Sequence, residues 1–236
     1  MAETITNSPI LFALATGLLP TLFWLYFWLR IDRDRPEPFG LLFLCFIVGA
    51  ASVFFATTLQ KTVGGFFASD TTTRVAVFAG IEEVLKLLVF AFIAAKSDYN
   101  DEPLDPAIYL ITVALGFAAL ENIFYVMQPS VHSSVTAGLL TGGFRFFGST
   151  LLHTIASSFV GIFIALSPRG FRGLGAILGL GGAIFLHTAF NFFILKNDTA
   201  SFLQIYGYLW VAAIISLLIL EKLRRLPPQS TALKPV

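Results

Sequence analysis

Seven apolar stretches, at 9–29, 39–60, 74–95, 107–127, 141–166, 173–195 and 202–220, fill most of this 236-residue chain. At a rise of about 1.5 Å per residue, each is long enough to cross the roughly 30 Å hydrocarbon core of a bilayer as a helix. The stretches are too long, and too uniformly apolar, for the alternating strands of a membrane barrel. Only 12% of the residues are charged, about half the share of an ordinary soluble domain. The pattern therefore predicts an all-α integral membrane protein, a bundle of about seven transmembrane helices, placed as a multi-pass protein in the plasma membrane.

The connections are too short to hold a soluble domain. Residues 1–221 are expected to form one polytopic unit, followed by a basic, proline-containing tail at 222–236 that is predicted to be disordered. The first stretch is preceded by Glu3 and no basic residue, and is longer than the apolar part of a cleaved signal. It is read as a true first helix. A single cysteine, Cys45, excludes an intrachain disulfide and is expected to pack as a small apolar residue. The formal net charge of +1 argues against a nucleic-acid partner. The acidic run Asp98-Tyr99-Asn100-Asp101-Glu102, with Asp105, is expected to be a solvated loop.

Orientation follows from the basic residues between the spans. With the N-terminus outside, the inner segments hold ten of them: Arg30, Arg33, Arg35, Lys96, Arg169, Arg172, Lys222, Arg224, Arg225 and Lys234. The outer segments hold three: Lys61, Arg74 and Lys196. The bias predicts N-terminus outside and C-terminus cytoplasmic.

Ionisable residues within hydrocarbon are costly and are usually functional. Here they fall into a few short motifs: Glu82, Glu83 and Lys86 in the third stretch, Glu121 in the fourth, Arg145 and His153 in the fifth, His187 with Asn191 in the sixth. In that orientation Glu82 and Glu83 lie roughly 12–14 Å below the outer surface, Glu121 roughly 10 Å, and His187 and Asn191 roughly 13 and 7 Å, with His153 deeper, at about 18 Å. Four helices thus deliver polar groups to the outer half of the membrane, while the inner half is nearly free of them. Glu82 and Lys86, Glu121 and Tyr125, and His187 and Asn191 each stand four residues apart, so each helix carries a polar stripe on one face. Lipid offers such stripes no partner, so they should face inward.

Three carboxylates and the two cations Lys86 and Arg145 leave a net charge of minus one when the histidines are neutral. Adjacent carboxylates in a medium of low dielectric do not both ionise freely. A carboxylate in that position beside a histidine can deprotonate a water. A protonated histidine or a divalent metal would balance the same charge, and the sequence alone does not choose among them. A purely structural ion pair is the poorer account of Glu82 and Glu83, since buried pairs stabilise less than apolar packing.

The Glu82-Glu83-x-x-Lys86, Glu121-Asn122-x-x-Tyr125, Phe144-Arg145 to His153 and His187-x-x-x-Asn191 motifs, in this order, resemble the PrsW family of intramembrane proteases. The Arg-Asp-Arg-Pro-Glu-Pro stretch at 33–38 resembles the same family, and the resemblance runs over roughly 20–195. The wider superfamily includes the CAAX-prenyl proteases and bacterial immunity-type membrane proteases. The resemblance implies an intramembrane endopeptidase that cuts a membrane-anchored, single-pass protein such as an anti-sigma factor. It implies that Glu82 activates water with help from His153, and that His187 and Asn191 stabilise the oxyanion. Glu83, Lys86 and Arg145 would then orient and charge-balance the site, with Glu121 and Tyr125 in support. Zinc held by Glu82, His153 and His187 is one option. No H-E-x-x-H helix supports it, and the CAAX branch points to a metal-free glutamate mechanism. The alternative function is a proton- or ion-coupled transporter with the same residues as a relay. Such a protein should carry polar residues through both leaflets and show repeat symmetry, and no internal repeat is evident. Substrate identity and oligomeric state are not legible in the chain.

Overall fold

A computed structural model describes residues 9–67, 70–127, 148–195 and 199–226. Among them are seven long α-helices and no strand: α1 (Pro9–Leu29), α2 (Phe39–Gly64), α3 (Thr71–Ile93), α4 (Asp105–Val126), α5 (Ser149–Leu166), α6 (Arg172–Leu195) and α7 (Thr199–Arg224). The helix ends carry local signals. Pro38 precedes α2, whose first free N–H groups reach its carbonyl. The Asp70 carboxylate caps α3 by accepting the Thr73 N–H at 3.1 Å. Pro106 opens α4, where its missing N–H costs nothing.

Six of the seven helices are long and apolar enough to span a membrane. The other is α3, in which Glu82, Glu83 and Lys86 interrupt the apolar run. It packs between α2 and α6 and also touches α4 and α5, so its charges face protein. The protein is a multi-pass membrane protein of the cell membrane, as the apolar stretches predict.

Helices α4 and α5 form the centre. Of their most apolar 18-residue windows, 78% and 72% are buried, against 22–33% for α1, α2, α6 and α7. Helix α4 is packed by α1, α2 and α5. Close approach of α2 to α4 depends on glycine. A methyl group on Gly49 would overlap the Val113 carbonyl, and one on Gly116 would overlap that of Phe46. Small residues of this kind let membrane helices pack backbone against backbone. Large apolar side chains cover the rim, with Phe39, Phe66, Phe92 and Phe185 strongly exposed. Cys45 is buried, as expected.

One end of the bundle departs from expectation. The acidic run is solvated at Asp98 and Asp101, but Asp105 is fully buried and Asp32 is 2% exposed. Asp32 accepts the Glu37 N–H at 3.2 Å and Asp105 accepts the Glu102 N–H at 2.6 Å. The Tyr109 hydroxyl bonds Glu37, and Arg35 pairs with Glu102 at 2.7 Å. The α1–α2 loop is thereby stitched to α4 at Tyr109 and to the connection ahead of it at Glu102, so the half of the bundle expected to lack polar groups contains a buried set. Burial, with Asp105 nearby, pushes the Asp32 carboxyl up to about 7. Burial also pushes Glu37 up to about 9.

Candidate active site

Toward the opposite end, where α2 meets α3 and α6 meets α7, the polar stripes of four helices meet. Glu83, Lys86 and His153 are each 1% exposed, His187 2% and Glu82 8%. Glu83 on α3 is the hub. Its Oε1 accepts from Lys86 Nζ at 2.7 Å and from His187 Nδ1 at 2.7 Å. Lys86 Nζ also reaches His153 Nδ1 at 2.6 Å and lies 4.7 Å from the centre of the Phe117 ring. His153 Nε2 is 3.0 Å from Glu121 Oε2.

These partners assign the protons. An ammonium only donates and a carboxylate only accepts. His153 therefore accepts at Nδ1 from Lys86 and donates Nε2–H to Glu121. His187 donates Nδ1–H to Glu83, which leaves its Nε2 lone pair free. That nitrogen is 3.7 Å from Glu82 Oε2. Glu82 Oε1 accepts from Gln60 Nε2 at 2.8 Å. Glu82 Oε2 is buried and makes no hydrogen bond among the described residues. The two histidine rings stand edge to face, 5.0 Å apart. A buried carboxylate oxygen and an imidazole lone pair thus point at a common spot, against the wall formed by His153.

Residues 37–219 match the PrsW family of intramembrane metalloproteases. The chain belongs to that family. It is 32% identical over 130 residues to Protease PrsW of Geobacillus kaustophilus, covering 54% of this chain and 57% of that protein. Protease PrsW of Oceanobacillus iheyensis is 26% identical over 211 residues, covering 86% of this chain and 94% of that protein. The protein of the same name from Bacillus subtilis is 30% identical over 135 residues, covering 54% of this chain and 59% of its own length. The chain thus aligns with little more than half the length of two of these relatives. No solved structure matches it.

A PrsW-family metal would be sought at Glu82, His153 and His187, whose donor atoms lie within 4.8 Å of one another. Two histidines and a glutamate with an open position form a zinc-type donor set. Glu82 Oε2 is a buried oxygen in need of a partner. Glu83 holds the far nitrogen of His187, as the carboxylate behind a metal-bound histidine does. His153 differs, since both its nitrogens are engaged. The set fits an ion in its donor types, provided that His153 exchanges Glu121 for the metal.

Of the residues the sequence singled out, Glu82, Glu83, Lys86, Glu121, His153 and His187 meet in this cluster. Asn191 and Tyr125, both half-buried, lie one helical turn beyond His187 and Glu121. Arg145 lies outside the described residues. Lys86 bonds Glu83, although its spacing suited Glu82 as well. Sequence reasoning missed Gln60, the donor to Glu82. Its only signal was an amide near the end of an apolar stretch.

Proposed function

We propose that this chain is an intramembrane endopeptidase that hydrolyses a membrane-anchored, single-pass protein, such as an anti-sigma factor. One observation carries the reading: Glu82 Oε2, buried and without a hydrogen bond, 3.7 Å from the free nitrogen of His187. A water between them donates a hydrogen bond to each acceptor. As its oxygen attacks the scissile carbonyl, Glu82 takes the proton and later delivers it to the departing amine. His153 closes the third side of the water site. Charge then develops on the carbonyl oxygen. Asn191 is the donor for it, while His187 Nε2 is engaged as the acceptor from the water. Glu83 and Lys86 do not touch substrate in this scheme. Glu83 fixes the His187 tautomer, and Lys86 balances Glu83 while fixing His153.

The metal-free form is supported by His153, both of whose nitrogens are already bonded. The zinc form is supported by the donor set and by the family's description as metalloproteases. Glu82, His153 and His187 would hold the ion, which when bound supplies Lewis-acid polarisation and a more acidic water. We place the N-terminus outside and the C-terminus in the cytoplasm, so that the site faces the extracytoplasmic leaflet.

The test is metal content of the purified protein, paired with cleavage of a model single-pass substrate with and without chelator. The metal-free form predicts chelator-resistant cleavage lost in Glu82→Gln and in His187→Ala. Stoichiometric zinc with chelator-sensitive cleavage would instead establish the metal form. Undiminished cleavage in both variants, at wild-type expression, would overturn the endopeptidase assignment of this site.

A further inference from the structure

The hydroxyl side chains along the last three turns of α2 satisfy themselves on their own helix. Thr57, Thr58 and Thr62 donate to the carbonyls of Val53, Phe54 and Thr58 at 2.8, 2.8 and 2.9 Å. Gln60, half-buried among them, does something different. Its side chain crosses to α3 and donates Nε2–H to Glu82 Oε1 at 2.8 Å. A carboxylate only accepts, so the NH₂ end of the amide must face it.

The consequence concerns which Glu82 oxygen can act. A carboxylate has two equivalent oxygens and rotates freely about its last bond unless one oxygen is held. Gln60 holds Oε1. That leaves Oε2 buried, without a hydrogen bond, and turned to His187 Nε2 at 3.7 Å. No other described residue donates a hydrogen bond to Glu82. We infer that Gln60 is a positioning residue for the hydrolytic centre, fixing one carboxylate oxygen of Glu82 so that the other is presented to the reacting water. The inference rests on the reading of Glu82 as the group that handles the water.

Gln60 lies near the end of α2, ahead of the connection to α3, so α2 helps to build the site as well as to cover it. A movement of α2 along α3 would release Oε1 and let the carboxylate turn.

The test uses the full chain in nanodiscs and a single-pass model substrate, with kcat and KM measured separately. Gln60→Met keeps the length and bulk of the side chain and removes the donor. A hydrogen bond to a charged group is worth about ten- to hundredfold in rate when it is used in the transition state. Gln60→Met is therefore expected to lower kcat by about that factor, with KM and the melting temperature unchanged. In a Glu82→Asp background the carboxylate is one methylene too short to reach Gln60, so the same change should cost less than about threefold there. Three results would each overturn the inference: a kcat within twofold of wild type, a loss carried by KM or by the folded fraction, or an equal loss in the Glu82→Asp background. Glu82→Gln is measured alongside. If it cleaves like wild type, the role of Glu82 is wrong and the inference falls with it, a failure that is separable because it is read from a different variant.

Discussion

Glu83 and Lys86 illustrate what a buried charge needs within a membrane. Each is 1% exposed, and each is satisfied through the other and through a histidine. Removing one member leaves an uncompensated charge, which costs about 3–5 kcal/mol, whereas removing both together is far milder. Lys86→Met should therefore lower the melting temperature sharply, and the double change Glu83→Gln with Lys86→Met should recover most of it. Both variants should lose cleavage, because His153 loses the Lys86 donor that sets its tautomer. Recovery of stability without recovery of activity is the expected pattern, checked by melting curves beside cleavage assays. The motif spacing made these residues legible, since a charge within an apolar helix is costly and is seldom kept unless a site uses it. The choice of Glu83 over Glu82 by Lys86 was not legible. Both spacings are helical, and the outcome depends on how α3 is rotated against α5 and α6. Gln60 was hidden for a related reason: an amide carries no charge, so a single one in an apolar run raises no alarm until its partner on another helix is known.

At the scale of helices, the bundle rests on close contacts that only glycine permits. A methyl on Gly116 would overlap the Phe46 carbonyl of α2, and neither backbone can yield without shifting a whole helix. Overpacking of this kind costs about 1–3 kcal/mol. Gly116→Ala is expected to lower thermal stability by that amount, while Gly173→Ala, where nothing lies within 4 Å of the added group, should be near neutral. Melting curves of the two variants in one detergent make the comparison. The helices themselves were legible from their length and apolarity, but the central place of α4 was not, since α1, α2 and α7 are at least as apolar. Which glycines form contacts was not, because the chain has 19 of them and only the packing distinguishes Gly116 from Gly173.

Across the whole molecule, polar groups are buried at both ends of the bundle, and the two sets differ in kind. One joins carboxylates to histidines and a lysine around a free oxygen. The other joins the α1–α2 loop to α4 through Asp32, Glu37, Asp105 and Tyr109. The second set is invisible in the sequence because Asp105 belongs to an acidic run whose other members are solvated, and because its partners lie far earlier in the chain. It also makes stability depend on pH. Asp32 has a folded-state value of about 7, raised from 3.8 by burial. A raised carboxyl favours the fold below its unfolded value, and that contribution is lost as pH rises from about 4 through about 7. The protein should melt lower at pH 8 than at pH 5. Asp32→Asn, which can still accept the Glu37 N–H, should lessen that dependence and leave the part due to Glu37, as melting curves across this range would show. An unchanged slope in the variant would mean that another group is responsible.

In the proposed reaction Glu82 delivers water to a peptide bond within the membrane. The decisive experiment is cleavage of a single-pass substrate in nanodiscs in H₂¹⁸O, with wild type and Glu82→Gln compared at equal folded amounts. Wild type should leave one ¹⁸O atom in the new C-terminal carboxylate, and Glu82→Gln should cleave at least about a thousandfold more slowly. Cleavage by Glu82→Gln at the wild-type rate, with the same label in the product, would contradict that role.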